Sequence, residues 1–212
     1  FTEACNRGAE AARAPFLVFL NNDTIPRPGW LEHLLHSAEE EERVGAVGAK
    51  LIYPDGRLQE AGGVVLSDGS TRNFGRGDDP TRADYCRPCE VDYCSGACLL
   101  VRTDLFRLLG GFDRRYSPAY YEETDLCFRL RELGYRALYC PQAEVVHVGS
   151  ATAGTDIHTG FRRFLALNRT KFVARWKEVL VRHEPPPGPG QSIHTSDRRL
   201  IGLRTSILSA SL

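Results

Sequence analysis

Two groups of oxygen-bearing side chains in this 212-residue sequence have the types and spacing to do chemistry. Asn21-Asn22-Asp23-Thr24 ends the apolar run PFLVFL, and an Asp at the carboxyl end of a buried strand stands where open α/β sheets place their ligands. Its carboxylate is the hard donor that Mg2+ or Mn2+ takes when a diphosphate supplies further oxygens. The same residues also suit a strand-to-helix turn held by local hydrogen bonds, so the stretch alone leaves both readings open. Glu122-Glu123-Thr124-Asp125 sets three carboxylates within four residues at a helix start. Crowding of this kind raises the pKa of at least one carboxyl and favours a general base. Compensation of the helix macrodipole accounts for Asp125 and one glutamate, and three carboxylates exceed what it needs. A third group, Cys86, Cys89, Cys94 and Cys98, is spaced C-x2-C-x4-C-x3-C, tighter than the pair-loop-pair spacing of tetrahedral zinc sites. Cys98 opens the apolar run CLLV and Cys94 lies just before Gly96, where small thiols act as apolar filler. With Cys5, Cys127 and Cys140 scattered, the odd total of seven favours free thiols.

The elements that must position these groups alternate between helix and strand. Residues 3–13 are Ala-rich and helical in character, and Pro15 breaks them before PFLVFL, a continuous apolar run expected to be buried on both faces. Pro28 fits the first turn of a helix with Trp30, Leu31, Leu34, Leu35 and Ala38 on one face and the acidic run Glu39 to Glu42 outside. VGAVGAKLIY reads as a strand, Pro54-Asp55-Gly56 as a turn and LQEAGGVVL as a further extended segment. Residues 67–85, polar and rich in Gly and Asp, are expected to form a mobile surface loop. DYCSGACLLVR predicts a strand with a glycine bend, followed by a short helix with Thr103 as N-cap and a stop at GGFD. EETDLCFRLRELG predicts a helix closed by Gly134, and RALYCP and AEVVHVG two more strands. Residues 158–181 carry Phe161, Leu165, Phe172, Trp176 and Val179 at helical spacing. The expected division is a domain over 1–183 and a Pro/Gly-rich linker with a loose tail over 184–212.

Composition bounds the functions. At 42% hydrophobic and 25% charged residues the chain can bury a sizeable core, and 27 basic against 27 acidic residues leave no electrostatic footprint for nucleic acid. No apolar run approaches the ~20 residues of a membrane span. A cytoplasmic location is expected. The sequence opens at Phe1 and has no Met, so a longer protein with further residues before it is expected.

Two segments carry a resemblance. FLNNDTIPRPGWLEHLL is similar to the metal-binding segment of family 2 glycosyltransferases of the GT-A fold. The segment running from VDYCSGACLLVR through SPAYYEETDLCFRLRELG to AEVVHVGS resembles their acceptor-side and catalytic segment, closest to the bacterial rhamnosyltransferase-like branch. The likeness spans residues 1–181, in family order. It implies a Rossmann-like α/β fold, a mostly parallel sheet flanked by helices, with the family's N-terminal nucleotide-binding strands absent. In this reading Asn21-Asn22-Asp23 occupies the D-x-D position, with Asp23 on the metal and Asn21 in place of the first acid. Glu122-Glu123 occupies the E-D pair whose second member is the base, here Glu123, with Glu122 as the rival. The extra methylene of Glu over Asp moves the carboxylate by more than about 1 Å, a shift that costs activity unless the loop adjusts. His147 matches a histidine near the diphosphate, a metal ligand or phosphate contact in one reading and a satisfied core histidine in the other, and Ser95-Gly96-Ala97 matches the bend lining the acceptor pocket. Asp125 and Arg129 match D-L-x-x-R, read as structural.

The activity implied is a metal-dependent, inverting transfer from a dTDP-, UDP- or GDP-sugar to a glycan or lipid-linked acceptor, with Mg2+ or Mn2+, at the inner face of the cytoplasmic membrane. FRRFLALNRTKFVARW lacks the Q-x-x-R-W of processive members, so one sugar per encounter is expected. Two other classes stand beside it: a catalytically inactive sugar- or nucleotide-binding domain of the same fold, and a small zinc module on Cys86 to Cys98.

Overall fold

The computed structural model describes residues 1–40, 43–149 and 163–188. Along the chain it forms α1 (Thr2–Ala11), β1 (Phe16–Leu20), β2 (Thr24–Pro26), α2 (Trp30–Glu39), β3 (Val44–Ile52), β4 (Leu58–Glu60), β5 (Gly63–Val65), β6 (Thr71–Asn73), β7 (Cys89–Val91), β8 (Cys98–Arg102), α3 (Thr103–Leu108), α4 (Glu122–Glu132), β9 (Arg136–His147) and α5 (Arg163–Leu180). The main sheet runs β1-β8-β3-β9-β2, with β4 also on β3 and β7 also on β9.

The α/β class holds, but the sheet is mixed rather than mostly parallel. Among the described residues only β3 and β9, its two longest strands, pair in parallel. The neighbours β1–β8, β3–β8, β3–β4, β2–β9 and β7–β9 are antiparallel. A tight turn such as Tyr53–Gly56 can only reverse a strand, whereas a parallel partner needs a long crossover. PFLVFL also departs from expectation. β1 lies at the end of the strand path, paired with β8, so its burial alternates and Leu20 is 41% exposed.

Period-two alternation sorts the strands onto two cores. Cys98 and Leu100 of β8 join Leu34 and Ala38 of α2 on one face. Leu99 and Val101 face the other, with Leu126, Phe128 and Leu130 of α4 and Phe172 and Trp176 of α5. Gly48 of β3 permits the close approach of the 93–97 bend, since a Cβ there would lie 2.4 Å from that of Cys94. Cys94 and Cys98 therefore belong to opposite cores, while Cys86 is exposed, and the four sulfurs do not converge as a zinc module requires. All seven cysteines are free thiols.

Four local expectations change. Residues 67–85 turn back so that β6 pairs with β5, and Phe74 and Tyr85 are anchored in the core. Thr103 does not cap α3; it is the first helical residue, and its hydroxyl donates to the Ala14 carbonyl at 2.7 Å. RALYCP and AEVVHVG fuse into β9, with 141–143 bulged out between Cys140 opposite Ala49 and Glu144 opposite Lys50. On α5, Phe172 and Trp176 are buried as the spacing predicts, but Leu165 is exposed and Asn168 is buried in its stead; Phe161 lies outside the described residues.

Asp125, fully buried on α4, ties the helices together. It accepts from Arg129 Nε at 2.7 Å, Trp176 Nε1 at 2.9 Å and the Tyr116 hydroxyl at 3.2 Å, with Arg175 also within 3.3 Å. Arg129 in turn donates to the Leu109 and Gly111 carbonyls. This network, rather than the helix dipole, accounts for Asp125. Removing one partner of a buried ion pair strands the other, so Asp125→Ala is expected to lower the unfolding free energy by about 3–5 kcal/mol in urea titrations. A loss below about 1 kcal/mol would show that the pair is not structural.

Candidate active site

The candidate residues converge on one end of the sheet. Asp23 lies in the turn between β1 and β2, and the short β2 pairs with the end of β9, placing Thr24 opposite His147. Asp23 also accepts from Val148 N through its carbonyl at 3.0 Å. These contacts set Asp23 Oδ1 3.3 Å from His147 Nε2. The other ring nitrogen, Nδ1, is 2.7 Å from Gln59 Oε1. Burial lowers the His147 pKa, with the Asp23 carboxylate opposing that shift, so the ring is driven toward its neutral form. Asn21 donates its backbone N–H to the Ala97 carbonyl at 3.0 Å and accepts from the Thr24 hydroxyl at 2.6 Å. Asn22 is exposed on the same turn.

The Asn21–Ala97 bond joins this turn to the Ser95-Gly96-Ala97 bend, and the bend leads to the glutamates. Ser95 donates its N–H to Glu60 Oε1 at 3.0 Å, and its hydroxyl accepts from Ala97 N at 3.2 Å. A Cβ on Gly96 would lie 4.0 Å from that of Glu123, so the bend packs directly on the start of α4. Glu122 and Glu123 follow two residues of left-handed backbone, Tyr120 (φ 75°) and Tyr121 (φ 73°). Such strain in non-glycine residues persists only where surroundings impose it. Here Asn168 Nδ2 of α5 lies within 3.0 Å of the Tyr116, Ala119 and Tyr120 carbonyls, and the Tyr121 hydroxyl donates to Gly69 O at 2.7 Å.

The two glutamates differ. Glu122 is only 4% exposed, and burial followed by the Glu123 charge pushes its carboxyl well above the usual range. Glu123 is half-buried; desolvation raises its pKa to about 7 against the opposing pull of backbone N–H groups. Each keeps one buried oxygen, Oε2, without a hydrogen-bond partner. A half-buried carboxyl titrating near neutrality, with a free oxygen, has the properties of a general base.

Two residues of this site went unrecognised in the sequence, Gln59 and Glu60. Both are buried on β4, and burial raises Glu60 to about 7, with the Ser95 N–H opposing and the Glu123 charge adding. The available signal was a polar pair inside the apolar segment LQEAGGVVL. A cleft of about 760 Å³ between α1 and α3, lined by Asn6, Phe106, Arg107, Arg114 and Arg175 among others, contains none of the candidate residues.

The donor set fits a divalent cation. The Asp23 carboxylate and the His147 imidazole face each other, and a cation held by both can take its other ligands from a diphosphate and water. Among the described residues no group of three His, Cys, Asp or Glu side chains stands ready to bind a metal, so the protein would contribute two ligands. No described helix is long and apolar enough to cross a membrane.

The family model described as Glycosyltransferase like family 2 matches residues 1–198. The O-antigen biosynthesis protein RfbC of Myxococcus xanthus is 34% identical over 157 residues, 71% of this chain and 12% of the relative. The N-acetylglucosaminyl-diphospho-decaprenol L-rhamnosyltransferase of Mycobacterium tuberculosis is 34% identical over 154 residues, 66% of this chain and 49% of the relative. The chain thus spans at most about half the length of these curated relatives. A solved structure of GalNAc-T7 with UDP, GalNAc and Mn2+ superposes with a TM-score of 0.62 at 15% identity, covering 86% of this chain and 36% of that one, a likeness of fold that bears out the GT-A expectation. With its site geometry, its GT-A fold and a family match over nearly its whole length, the chain belongs to the family 2 glycosyltransferases.

Proposed function

We propose that this chain carries the metal-binding and base-bearing part of an inverting glycosyltransferase, which moves a sugar from a nucleotide-sugar donor to a hydroxyl of a glycan or lipid-linked acceptor in cell-surface polysaccharide assembly. The observation that carries this reading is the run of neighbours from Asp23 and His147, through Asn21 and the Ser95-Gly96-Ala97 bend, to Glu123, whose Cβ lies beside the bend and whose Oε2 has no hydrogen-bond partner. One wall can bind the departing diphosphate while the other accepts a proton.

When bound, Mn2+ or Mg2+ would supply positive charge to the donor diphosphate as its bond to the sugar breaks. An imidazole ligand favours Mn2+ of the two. Asp23 and His147 Nε2 hold that end of the site. At the other end the acceptor hydroxyl rests against the Ser95-Gly96-Ala97 bend, and the Glu123 carboxylate takes its proton. The acceptor oxygen forms its bond to the anomeric carbon on the face opposite the departing phosphate oxygen. The products are an inverted glycoside, a nucleoside diphosphate and a protonated Glu123. Glu60 holds the bend through the Ser95 N–H, and Asn22, exposed on the turn, is free to meet the donor. The donor is a dTDP-, UDP- or GDP-sugar; the rhamnosyltransferase relative favours a rhamnosyl donor. The enzyme works in the cytoplasm, docked peripherally where lipid-linked acceptors are held, and adds one sugar per encounter.

Two readouts test the proposal in the protein that carries this chain. Proton NMR of the first-formed glycoside is expected to show inversion at the anomeric carbon, and retention would refute a single displacement. His147→Ala is expected to raise the Mn2+ concentration giving half-maximal rate by about 10-fold or more. An unchanged metal requirement with lowered thermal stability would make His147 a core residue alone.

A further inference from the structure

We infer that Gln59 is the positioning residue of the metal end of the site: its side chain fixes His147 in the tautomer that turns the Nε2 lone pair toward Asp23. The inference rests on the metal reading of Asp23 and His147.

The backbone aims Gln59 first. In the β3–β4 pair Glu60 lies opposite Leu51 and Leu58 opposite Ile52, so Gln59 is the extra residue of a β-bulge. Bulges re-aim one side chain out of the regular alternation. Here consecutive buried residues serve the two ends of one site, Gln59 reaching His147 and Glu60 reaching Ser95.

The hydrogen bonds then settle which atom faces which. Gln59 Oε1 lies 2.7 Å from His147 Nδ1, and Gln59 Nε2 lies 3.5 Å from the His147 carbonyl. Turning the amide over would set Oε1 against that carbonyl oxygen, two acceptors with no proton between them. With Oε1 on the ring, Nδ1 must carry the hydrogen, because an amide oxygen only accepts. The neutral ring then presents a bare Nε2, and 3.3 Å away stands Asp23 Oδ1, also an acceptor. Two lone pairs facing across that gap form an arrangement that a cation completes. Gly149 leaves room for the amide: its φ is +64°, and a Cβ there would come within 3.1 Å of Gln59 Nε2.

The chemistry predicts a loss distinct from that of a ligand. A histidine whose far N–H has lost its acceptor keeps its nitrogen but loses its orientation and tautomer, which typically weakens metal affinity by about 10- to 100-fold. Gln59→Leu keeps the volume and removes the acceptor. Gln59→Glu restores an acceptor for Nδ1–H.

The experiment measures Mn2+ binding by calorimetry without donor, alongside 15N spectra of the His147 ring in metal-free protein at pH 8. The wild-type spectrum is expected to show the Nδ1–H tautomer; an Nε2–H tautomer would overturn the inference without any variant. Gln59→Leu is expected to lose the Nδ1–H tautomer and weaken Mn2+ binding by about 10- to 100-fold, with Gln59→Glu regaining most of it. If His147→Ala weakens Mn2+ binding while Gln59→Leu leaves it unchanged, Gln59 does not position the ligand and the metal reading stands. If both variants bind Mn2+ like wild type, the metal reading itself falls.

Discussion

Glu123→Gln is expected to lower turnover by about 10²- to 10⁴-fold while leaving nucleotide-sugar affinity near wild type, because the amide keeps size and polarity but cannot take a proton. The wild-type rate should rise with pH through about 7, where Glu123 loses its proton, and the variant should lack that rising limb. Stability supplies the control. A carboxyl raised from 4.5 to about 7 by burial contributes stability that is complete below 4.5 and is lost as pH rises through about 7. Gln does not ionise, so at pH 8 the variant should melt no lower than wild type, and a lost rate could not be blamed on unfolding. Glu122→Gln should slow turnover less, since Glu122 is 4% exposed and faces the interior. The reverse order would make Glu122 the base.

Asp23→Ala is expected to abolish metal-dependent turnover with the fold intact. Its side chain lies at the surface end of the sheet, and the strand contact beside it, Val148 N to Asp23 O, is made by the backbone and survives the substitution. Circular dichroism should be unchanged while Mn2+ no longer stimulates product formation. A variant with wild-type rate and metal dependence would show that the carboxylate belongs to the turn alone.

How much of this could be read from the sequence depended on whether a role is local. Asp23 after PFLVFL and Glu123 at a helix start are positions that chain order defines, and the structure brings both to one end of the sheet. Gln59 and Glu60 read only as part of an extended segment, because their roles come from a one-residue bulge and from partners 88 and 35 positions away. Tyr120 and Tyr121 gave no warning of left-handed backbone, since tyrosine has no preference for it; Asn168 and the Gly69 carbonyl impose it. PFLVFL reads as doubly buried from its apolarity alone, and strand order, which periodicity does not encode, puts it at the end of the path. The mixed sheet escaped for the same reason. An alternation of strands and helices suggests crossovers, but β4 folds straight back on β3 through the Tyr53–Gly56 turn, and β7 and β8 meet antiparallel partners far from them in sequence.

The most direct test of the central claim, that Asp23, His147 and Glu123 form one metal-dependent transfer site, is nucleoside diphosphate release from a panel of dTDP-, UDP- and GDP-sugars by the protein that carries this chain. Release from at least one donor is expected to require Mn2+ or Mg2+, to stop on chelation and to return when the metal is restored. Release that persists undiminished under chelation, or no release from any donor with metal present, would contradict it.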